Sequence, residues 1–142
     1  LCVPAQIEIF VEFLMQILLD TFPFIWLTSE PLQLSTTAKE VLSDENNEFF
    51  LSDASVLEIC LKYNDGSLEM PMTPRRWIKE QSKIWNIKSI GITREYCLRL
   101  SEMPYHHDDA IDRMIASTAL SEDMYILTNE EEMKKYPVSV IW

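Results

Sequence analysis

The sequence predicts an α/β fold, an α/β/α sandwich around a central, mainly parallel sheet of about five strands. Short apolar runs alternate along the chain with segments of helical periodicity, and strands separated by helices are typical of a parallel sheet covered on both faces. The chain has 142 residues, of which 47% are hydrophobic and 25% are charged. This length and composition suit a single soluble domain that buries a real core.

The first half of the chain contains two predicted strands, each followed by helical segments. The apolar run Gln16–Leu19 predicts a buried strand, and Asp20 follows it directly. Pro23 suits the first turn of the next helix, and Ser35 is a suitable N-cap for the one after. The predicted elements are a strand at 16–19, a helix from 23, a helix at 35–42, a strand at 48–52 and a helix at 53–63.

The second half contains three further predicted strands. Trp77 and Ile84 belong to an apolar set at helical spacing, and Thr93 is suited to cap a later helix. Asp108 or Asp109 is suited to open the longest helix of this half. The predicted elements are helices at 75–85, 93–100, 109–122 and 130–135, and strands at 87–92, 124–127 and 138–141.

The net charge of −11 arises from 23 acidic and 12 basic residues, which argues against broad non-specific binding to nucleic acid. The charge is unevenly distributed: residues 62–113 contain nine bases and eight acids, whereas the rest of the chain contains three bases and fifteen acids. The middle segment can therefore face a polyanion, while the acids elsewhere can hold a hard cation or meet a basic partner. Solvated acidic surface is the alternative interpretation.

Neither the cysteines nor the apolar runs indicate secretion or a membrane span. Cys2, Cys60 and Cys97 include no CxxC pair, which favours a reducing compartment over disulfides or a structural zinc site. The apolar run at 7–19 is interrupted by polar residues and is shorter than the roughly 20 residues of a membrane span. We therefore expect a cytoplasmic protein. We interpret residues 1–14, which precede the first strand pattern, as an upstream extension or an artificial remnant.

Acids from separate segments follow the predicted strands or begin the helices beside them. Asp20 follows the first strand, Glu130 follows the fourth, and Glu58 lies one turn into the helix after the second. Asp109 and Asp112 are three residues apart and share one face of a helix start. Because ligands of open α/β sheets bind outside the carboxyl ends of the strands, we expect these carboxylates to converge there.

Each acid alone also has a structural interpretation. Asp20 can cap the next helix, and Glu58 can pair with Lys62 on a solvated face. An acid in a first helical turn, such as Asp112, is favoured by the helix dipole. The joint pattern favours a functional site, because several acids from distant parts of the chain meet at one sheet edge.

Carboxylates packed together repel one another and stay ionised only beside a compensating cation. Oxygen ligands with few histidines suit Mg²⁺ or Mn²⁺, which also bind substrate phosphate. Such a site is typical of phosphodiester hydrolysis, in which metal acidifies a bound water and neutralises transition-state charge. The adjacent His106 and His107 point in different directions and make a poor chelate, so a loop or supporting role suits them better.

Four segments of the chain carry motifs in a recognisable order. Residues 17–27 are ILLDTFPFIWL, residues 52–71 are SDASVLEICLKYNDGSLEMP, and residues 104–119 are PYHHDDAIDRMIASTA. Residues 124–142 hold a closing strand, a turn and a final V-x-x-I-W. Together these segments resemble the PIN domain over residues 15–142, specifically the VapC-type toxin nucleases of bacterial toxin–antitoxin pairs.

The resemblance implies a role for each acid. The metal-binding Asp after the opening strand matches Asp20, and the Glu of S-x-x-S-x-x-E-I-x-x-K matches Glu58. The H-x-D-P-F-D-R segment places two further acids on Asp109 and Asp112. The chain departs from the family pattern at Phe22, where many relatives have His, at Ala110, which replaces a Pro, and at Glu130, which replaces the fourth Asp.

The resemblance implies a metal-dependent endoribonuclease that uses Mg²⁺ or Mn²⁺, often forms a homodimer, and is held inactive by a co-expressed antitoxin. The alternative is a catalytically degenerate PIN domain that binds RNA or a protein without cleaving, which the Glu130 substitution and the low basicity motivate. The implied catalytic residues are Asp20, Glu58, Asp109 and Asp112, and the implied metal ligands are these four and Glu130. The candidates for contacting RNA phosphates, with plain surface solubility as the alternative for each, are Lys62, Arg75, Arg76, Lys79, Lys83 and Arg113.

Overall fold

Five strands form one sheet in which every neighbouring pair is parallel. The structure, a computed structural model, describes residues 15–142, so the interpretation of residues 1–14 lies outside the described residues. The strands are β1 (Gln16–Leu19), β2 (Glu48–Ser52), β3 (Ile87–Ile90), β4 (Tyr125–Leu127) and β5 (Ser139–Ile141). Their order is β3-β2-β1-β4-β5. The predicted α/β fold is confirmed, with a sheet that is wholly rather than mainly parallel.

Within residues 15–142, six α-helices connect the strands, and a side chain caps the start of each. Ser35 Oγ accepts from the backbone N–H of Ala38 at 3.0 Å, and Thr93 Oγ1 accepts from that of Tyr96 at 3.2 Å. These bonds confirm both predicted caps. The helices are α1 (Thr21–Ser29), α2 (Thr36–Ser43), α3 (Asp53–Asn64), α4 (Pro74–Ile84), α5 (Arg94–Glu102) and α6 (Ala110–Glu122).

Several element ends differ from the predicted ones. Helix α1 begins at Thr21 rather than Pro23, because Asp20 caps it two residues earlier. Strand β3 ends at Ile90 rather than at residue 92. The short helix predicted at 130–135 is a 3₁₀ helix, Glu131–Lys135. A further 3₁₀ turn, Pro31–Gln33, follows α1, and the proline at its first position is the signal for it.

The core lies on both faces of the sheet. In β1, Ile17 and Leu19 pack into one apolar cluster with α1 and α2, while Leu18 packs into another with α6 and β4. Ile126 and Leu127 of β4 divide between the two clusters in the same way. Central parallel strands buried on both faces account for the continuous apolar runs in the sequence. No helix between residues 15 and 142 combines the length and apolar character needed to cross a bilayer.

The carboxyl ends of the central strands place two polar residues side by side. Leu19 of β1 lies in register with Leu127 of β4, so Asp20 and Thr128 are the next residues on neighbouring strands. The backbone N–H of Asp20 donates to Leu127 O at 3.1 Å, which continues the ladder beyond the last paired residues. This edge, where parallel strands typically bind ligands, positions the candidate site.

Candidate metal centre

Asp20 is buried at the carboxyl end of β1, with 4% of its surface exposed. Its Oδ1 accepts from the backbone N–H of Thr21 at 2.8 Å, and its Oδ2 accepts from Thr128 Oγ1 at 2.6 Å. Burial raises the pKa of Asp20 to about 6 and outweighs the two hydrogen bonds, which lower it. The charges of Glu58 and Glu130 add to the rise. The predicted capping role is confirmed, and Asp20 also faces other carboxylates.

Glu58 lies on α3, which a buried hydroxyl pair joins to the start of α1. Thr21 Oγ1 donates to Ser55 Oγ at 3.0 Å, and this contact sets the first turn of α3 beside Asp20. The Glu58 side chain is 15% exposed, with Oε2 at 3.9 Å from Lys62 Nζ. The predicted i, i+4 pair between Glu58 and Lys62 is therefore present, but the Glu58 carboxylate is largely shielded from solvent.

Asp109 and Asp112 lie at the start of α6. Asp109 is its N-cap and accepts from the backbone N–H of Asp112 at 3.0 Å, so its capping role is confirmed. Burial raises the pKa of Asp112 to about 8, and the charges of four other acids reinforce this shift. Those acids, in order of effect, are Asp20, Asp109, Glu58 and Glu130. Acids from each of the other predicted segments therefore act electrostatically on Asp112.

Glu130 is exposed and is tied to the site through Thr128. Its backbone N–H donates to Thr128 Oγ1 at 3.0 Å, and the same hydroxyl donates to Asp20. Thr128 is buried, with 0% exposure. Thr128 is not acidic, so the pattern of acids in the sequence does not indicate it; its signal is a hydroxyl residue directly after a strand that neighbours β1.

The donor set fits a hard divalent cation. Each of these acids offers carboxylate oxygens, which are the ligands that Mg²⁺ and Mn²⁺ prefer. Burial is the main cause of the raised pKa values of Asp20 and Asp112, and a cation would relieve the repulsion that adds to both. Within the described part of the chain, no three acidic, histidine or cysteine side chains already stand close enough to form a chelate. Binding an ion between these acids therefore requires their side chains to move closer together.

The raised pKa of Asp112 predicts how the stability of the metal-free protein depends on pH. A carboxyl whose pKa rises from 3.8 to about 8 keeps its proton in the folded state where the unfolded chain releases it. Stability of the metal-free protein therefore falls as pH increases through this window. We expect Asp112→Asn, which does not titrate, to stabilise the metal-free protein, and to do so more at about pH 8 than at about pH 5.

Thermal unfolding of the wild type and Asp112→Asn in EDTA, at both pH values, measures this difference. Both proteins share every other acid, so the difference between their unfolding temperatures at each pH isolates the contribution of Asp112. An equal effect of the substitution at both pH values would contradict a raised pKa at Asp112.

The basic residues predicted to contact RNA divide into two groups. Arg75, Arg76, Lys79 and Lys83 are exposed on α4, which packs against α3, and Lys62 lies near Glu58. Arg113, in contrast, is 6% exposed. Its guanidinium donates to Pro104 O, Leu100 O and Tyr136 Oη at 3.0, 2.9 and 3.2 Å. Its burial and these three hydrogen bonds favour a structural role for Arg113 over contact with RNA.

The sequence and the fold both match known proteins. The family model described as PIN domain matches residues 17–138. No curated protein matches the sequence. A chain of VapBC2 from Rickettsia felis, solved bound to a DNA fragment from its promoter, is similar with a TM-score of 0.69 and 16% identity, over 89% of this chain and 97% of that one.

Two further structures share the fold. A chain of DNA-bound VapBC from Salmonella typhimurium is similar with a TM-score of 0.64 and 15% identity, over 89% of this chain and 97% of that one. A chain of FitAcB from Neisseria gonorrhoeae is similar with a TM-score of 0.59 and 21% identity, over 87% of this chain and 95% of that one. At these identities the likeness concerns the fold.

Proposed function

Because the chain belongs to the PIN-domain family, whose members are generally nucleases, we propose that it is a divalent-metal-dependent endoribonuclease of the VapC type. The observation that supports the proposal is that Asp20, which follows β1, and Asp112, at the start of α6, are acted on electrostatically by each other or by Glu58. A helix cap or a surface ion pair requires one acid, not several mutually repelling acids from separate segments.

In this proposal, Asp20, Glu58 and Asp112 bind the ion, and Asp109 lies beside them as a further ligand or as the base that orients the attacking water. Mg²⁺ or Mn²⁺ in this position would acidify a bound water and neutralise charge on the scissile phosphate. Thr128 holds Asp20 through its 2.6 Å hydrogen bond. Glu130 is exposed, and its side chain is longer than that of the Asp it replaces. In this proposal it would bind the ion from an outer position, either directly or through a water.

The basic residues of α4 are proposed to bind the RNA backbone. Helix α4 packs on α3, the helix that carries Glu58, so its exposed cations lie beside the helix that holds one side of the acid cluster. Arg76 Nε donates to Glu80 Oε1 at 3.0 Å, which offsets part of its charge. In a chain with a net charge of −11, these lysines and arginines supply positive charge where RNA would bind. The proposed set comprises four residues of α4 and one of α3: Arg75, Arg76, Lys79 and Lys83 on α4, and Lys62 on α3.

An antitoxin is the proposed protein partner. The structural neighbours include VapBC complexes and a toxin–antitoxin complex from Klebsiella pneumoniae, and a partner that brings basic side chains suits the acidic surface of this chain. We also propose that the protein is cytoplasmic, with residues 15–142 as its PIN domain, and that it forms a homodimer.

Cleavage of a mixed RNA pool by the purified, partner-free chain tests the proposal. The reaction is run with Mg²⁺, with Mn²⁺, and with excess EDTA, and Glu58→Gln purified in parallel excludes a contaminating nuclease. We expect discrete products that require the metal and that are lost in the variant.

Products that persist in EDTA would contradict metal-dependent cleavage. RNA binding that is insensitive to EDTA, without products and without calorimetric metal binding, would instead support the degenerate binding module. Metal binding without products would point to a narrow RNA substrate that the pool does not contain.

A further inference from the structure

Polar contacts link the buried Arg113 to the acid cluster through two aromatic side chains. Arg113 Nη1 donates to Tyr136 Oη at 3.2 Å, and Tyr136 Oη lies 2.8 Å from His107 Nδ1. At the other side of the imidazole ring, His107 Nε2 lies 3.4 Å from Asp112 Oδ2. Tyr136 is only 3% exposed, so the middle of this series is shielded from bulk solvent.

The hydrogen-bonding capacity of these groups favours one arrangement of the protons. A guanidinium can only donate, so Tyr136 Oη accepts from Arg113 Nη1. The direction of the 2.8 Å hydrogen bond between Tyr136 Oη and His107 Nδ1 depends on the tautomer of the imidazole. The tautomer with hydrogen on Nε2 uses both ring nitrogens, because Nδ1 then accepts from Tyr136 and Nε2–H faces Asp112.

The Nε2–H group of His107 faces the carboxylate of Asp112. Nε2 is buried and makes no aligned hydrogen bond within residues 15–142, and a buried donor without an acceptor is unfavourable. Asp112 Oδ2, at 3.4 Å, is the acceptor that Nε2 faces. Hydrogen bonds of this kind orient ligating groups around bound metals.

We propose that His107 is a positioning residue of the metal centre. Tyr136 holds it in the Nε2–H tautomer, and Nε2–H donates to Asp112 and fixes the direction of that carboxylate toward the ion. The inference rests on the proposed metal-dependent function. His106 has a different place, since its ring packs edge-on against Tyr136 with centroids 5.0 Å apart, and it serves as the matched control.

The tautomer is tested on the metal-free wild type by long-range ¹H–¹⁵N NMR of the imidazole rings at about pH 9, where Asp112 is ionised and can only accept a hydrogen bond. The chain has two histidines, and His107→Ala assigns the signals by their loss. We expect the pattern of a neutral ring with hydrogen on Nε2, which Tyr136→Phe converts to a mixture of tautomers. An Nδ1–H or imidazolium pattern in the wild type would overturn the proposal, whether or not the protein binds metal.

The positioning role is tested by calorimetric titration with Mn²⁺. We expect His107→Ala to weaken binding by roughly 10–100-fold and Tyr136→Phe, which removes only the hydroxyl, to weaken it by a smaller factor. His106→Ala is expected to bind as the wild type does. Circular dichroism confirms that each variant is folded.

The outcomes separate this inference from the proposed function. If the wild type binds Mn²⁺ and His107→Ala binds it equally well, His107 has no positioning role, but the metal centre stands. If the wild type itself binds no Mn²⁺, both fail together. An equal loss in the His106 and His107 variants would indicate a general disturbance of the loop and would also overturn the role of His107.

Discussion

Asp20→Asn is expected to lower metal-dependent RNA cleavage by about a thousandfold or more. A bound metal contributes several kcal/mol of transition-state stabilisation, and each 1.4 kcal/mol corresponds to about tenfold in rate. Asn removes the charge of the most buried acid in the cluster, while its side-chain oxygen can still accept from the backbone N–H of Thr21. Single-turnover cleavage of an RNA substrate with Mn²⁺ measures the loss.

The fold should persist in this variant. The pKa of Asp20 is raised to about 6, so the ionised carboxylate is unfavourable in the metal-free protein, and a neutral amide relieves that effect. We therefore expect an unchanged or higher unfolding temperature in EDTA. The matched control is Asp44→Asn, which removes one acid at the C-terminal end of α2 and should retain full cleavage. Retained cleavage in Asp20→Asn would falsify the assignment of the site.

Arg113→Ala is expected to lower the free energy of unfolding by about 3 kcal/mol. The guanidinium donates to Pro104 O and Leu100 O, and these contacts fasten the segment between α5 and α6. It also lies over the Tyr105 ring, with 5.0 Å between Cζ and the ring centroid. Alanine removes all of these contacts and leaves the two part-buried carbonyl acceptors without their donor. Urea denaturation, with the slope compared between proteins, measures the change.

An exposed arginine provides the control for this experiment. Arg76→Ala removes a cation from α4 that pairs with Glu80 on the surface, and its expected cost is below about 1 kcal/mol. Weaker RNA binding at unchanged stability is expected for Arg76→Ala. The same result for Arg113→Ala would argue that Arg113 serves RNA contact after all, and not the packing of its loop.

The strands, the caps and the convergence of acids could all be predicted from the sequence, because each depends on local patterns or on one rule about parallel sheets. The apolar run before Asp20 and the caps Ser35 and Thr93 are examples. Asp20 and Asp109 show that a capping role is compatible with the proposed one, since each carboxylate caps a helix and also acts electrostatically on Asp112.

Other features depend on contacts between residues far apart in the chain, which periodicity does not reveal. Arg113 follows an acid in a polar helical turn, so the pattern indicates a surface cation, yet the packing of the preceding loop buries it. The contacts of Thr128 with Asp20 and of His107 with Tyr136 join residues that are 108 and 29 positions apart. Only the folded chain brings these partners together.

The hydrogen bond between Asp20 and Thr128 has a consequence for synthesis on the ribosome. Strand β1 leaves the exit tunnel early, but its neighbour β4 is made 108 positions later, and such non-local pairing is slow to form. Until β4 docks, Asp20 lacks Thr128 and the cluster lacks Glu130, so a nascent chain has no complete site. If the protein cleaves RNA, its own messenger and ribosome are thereby spared until translation of the domain is nearly finished.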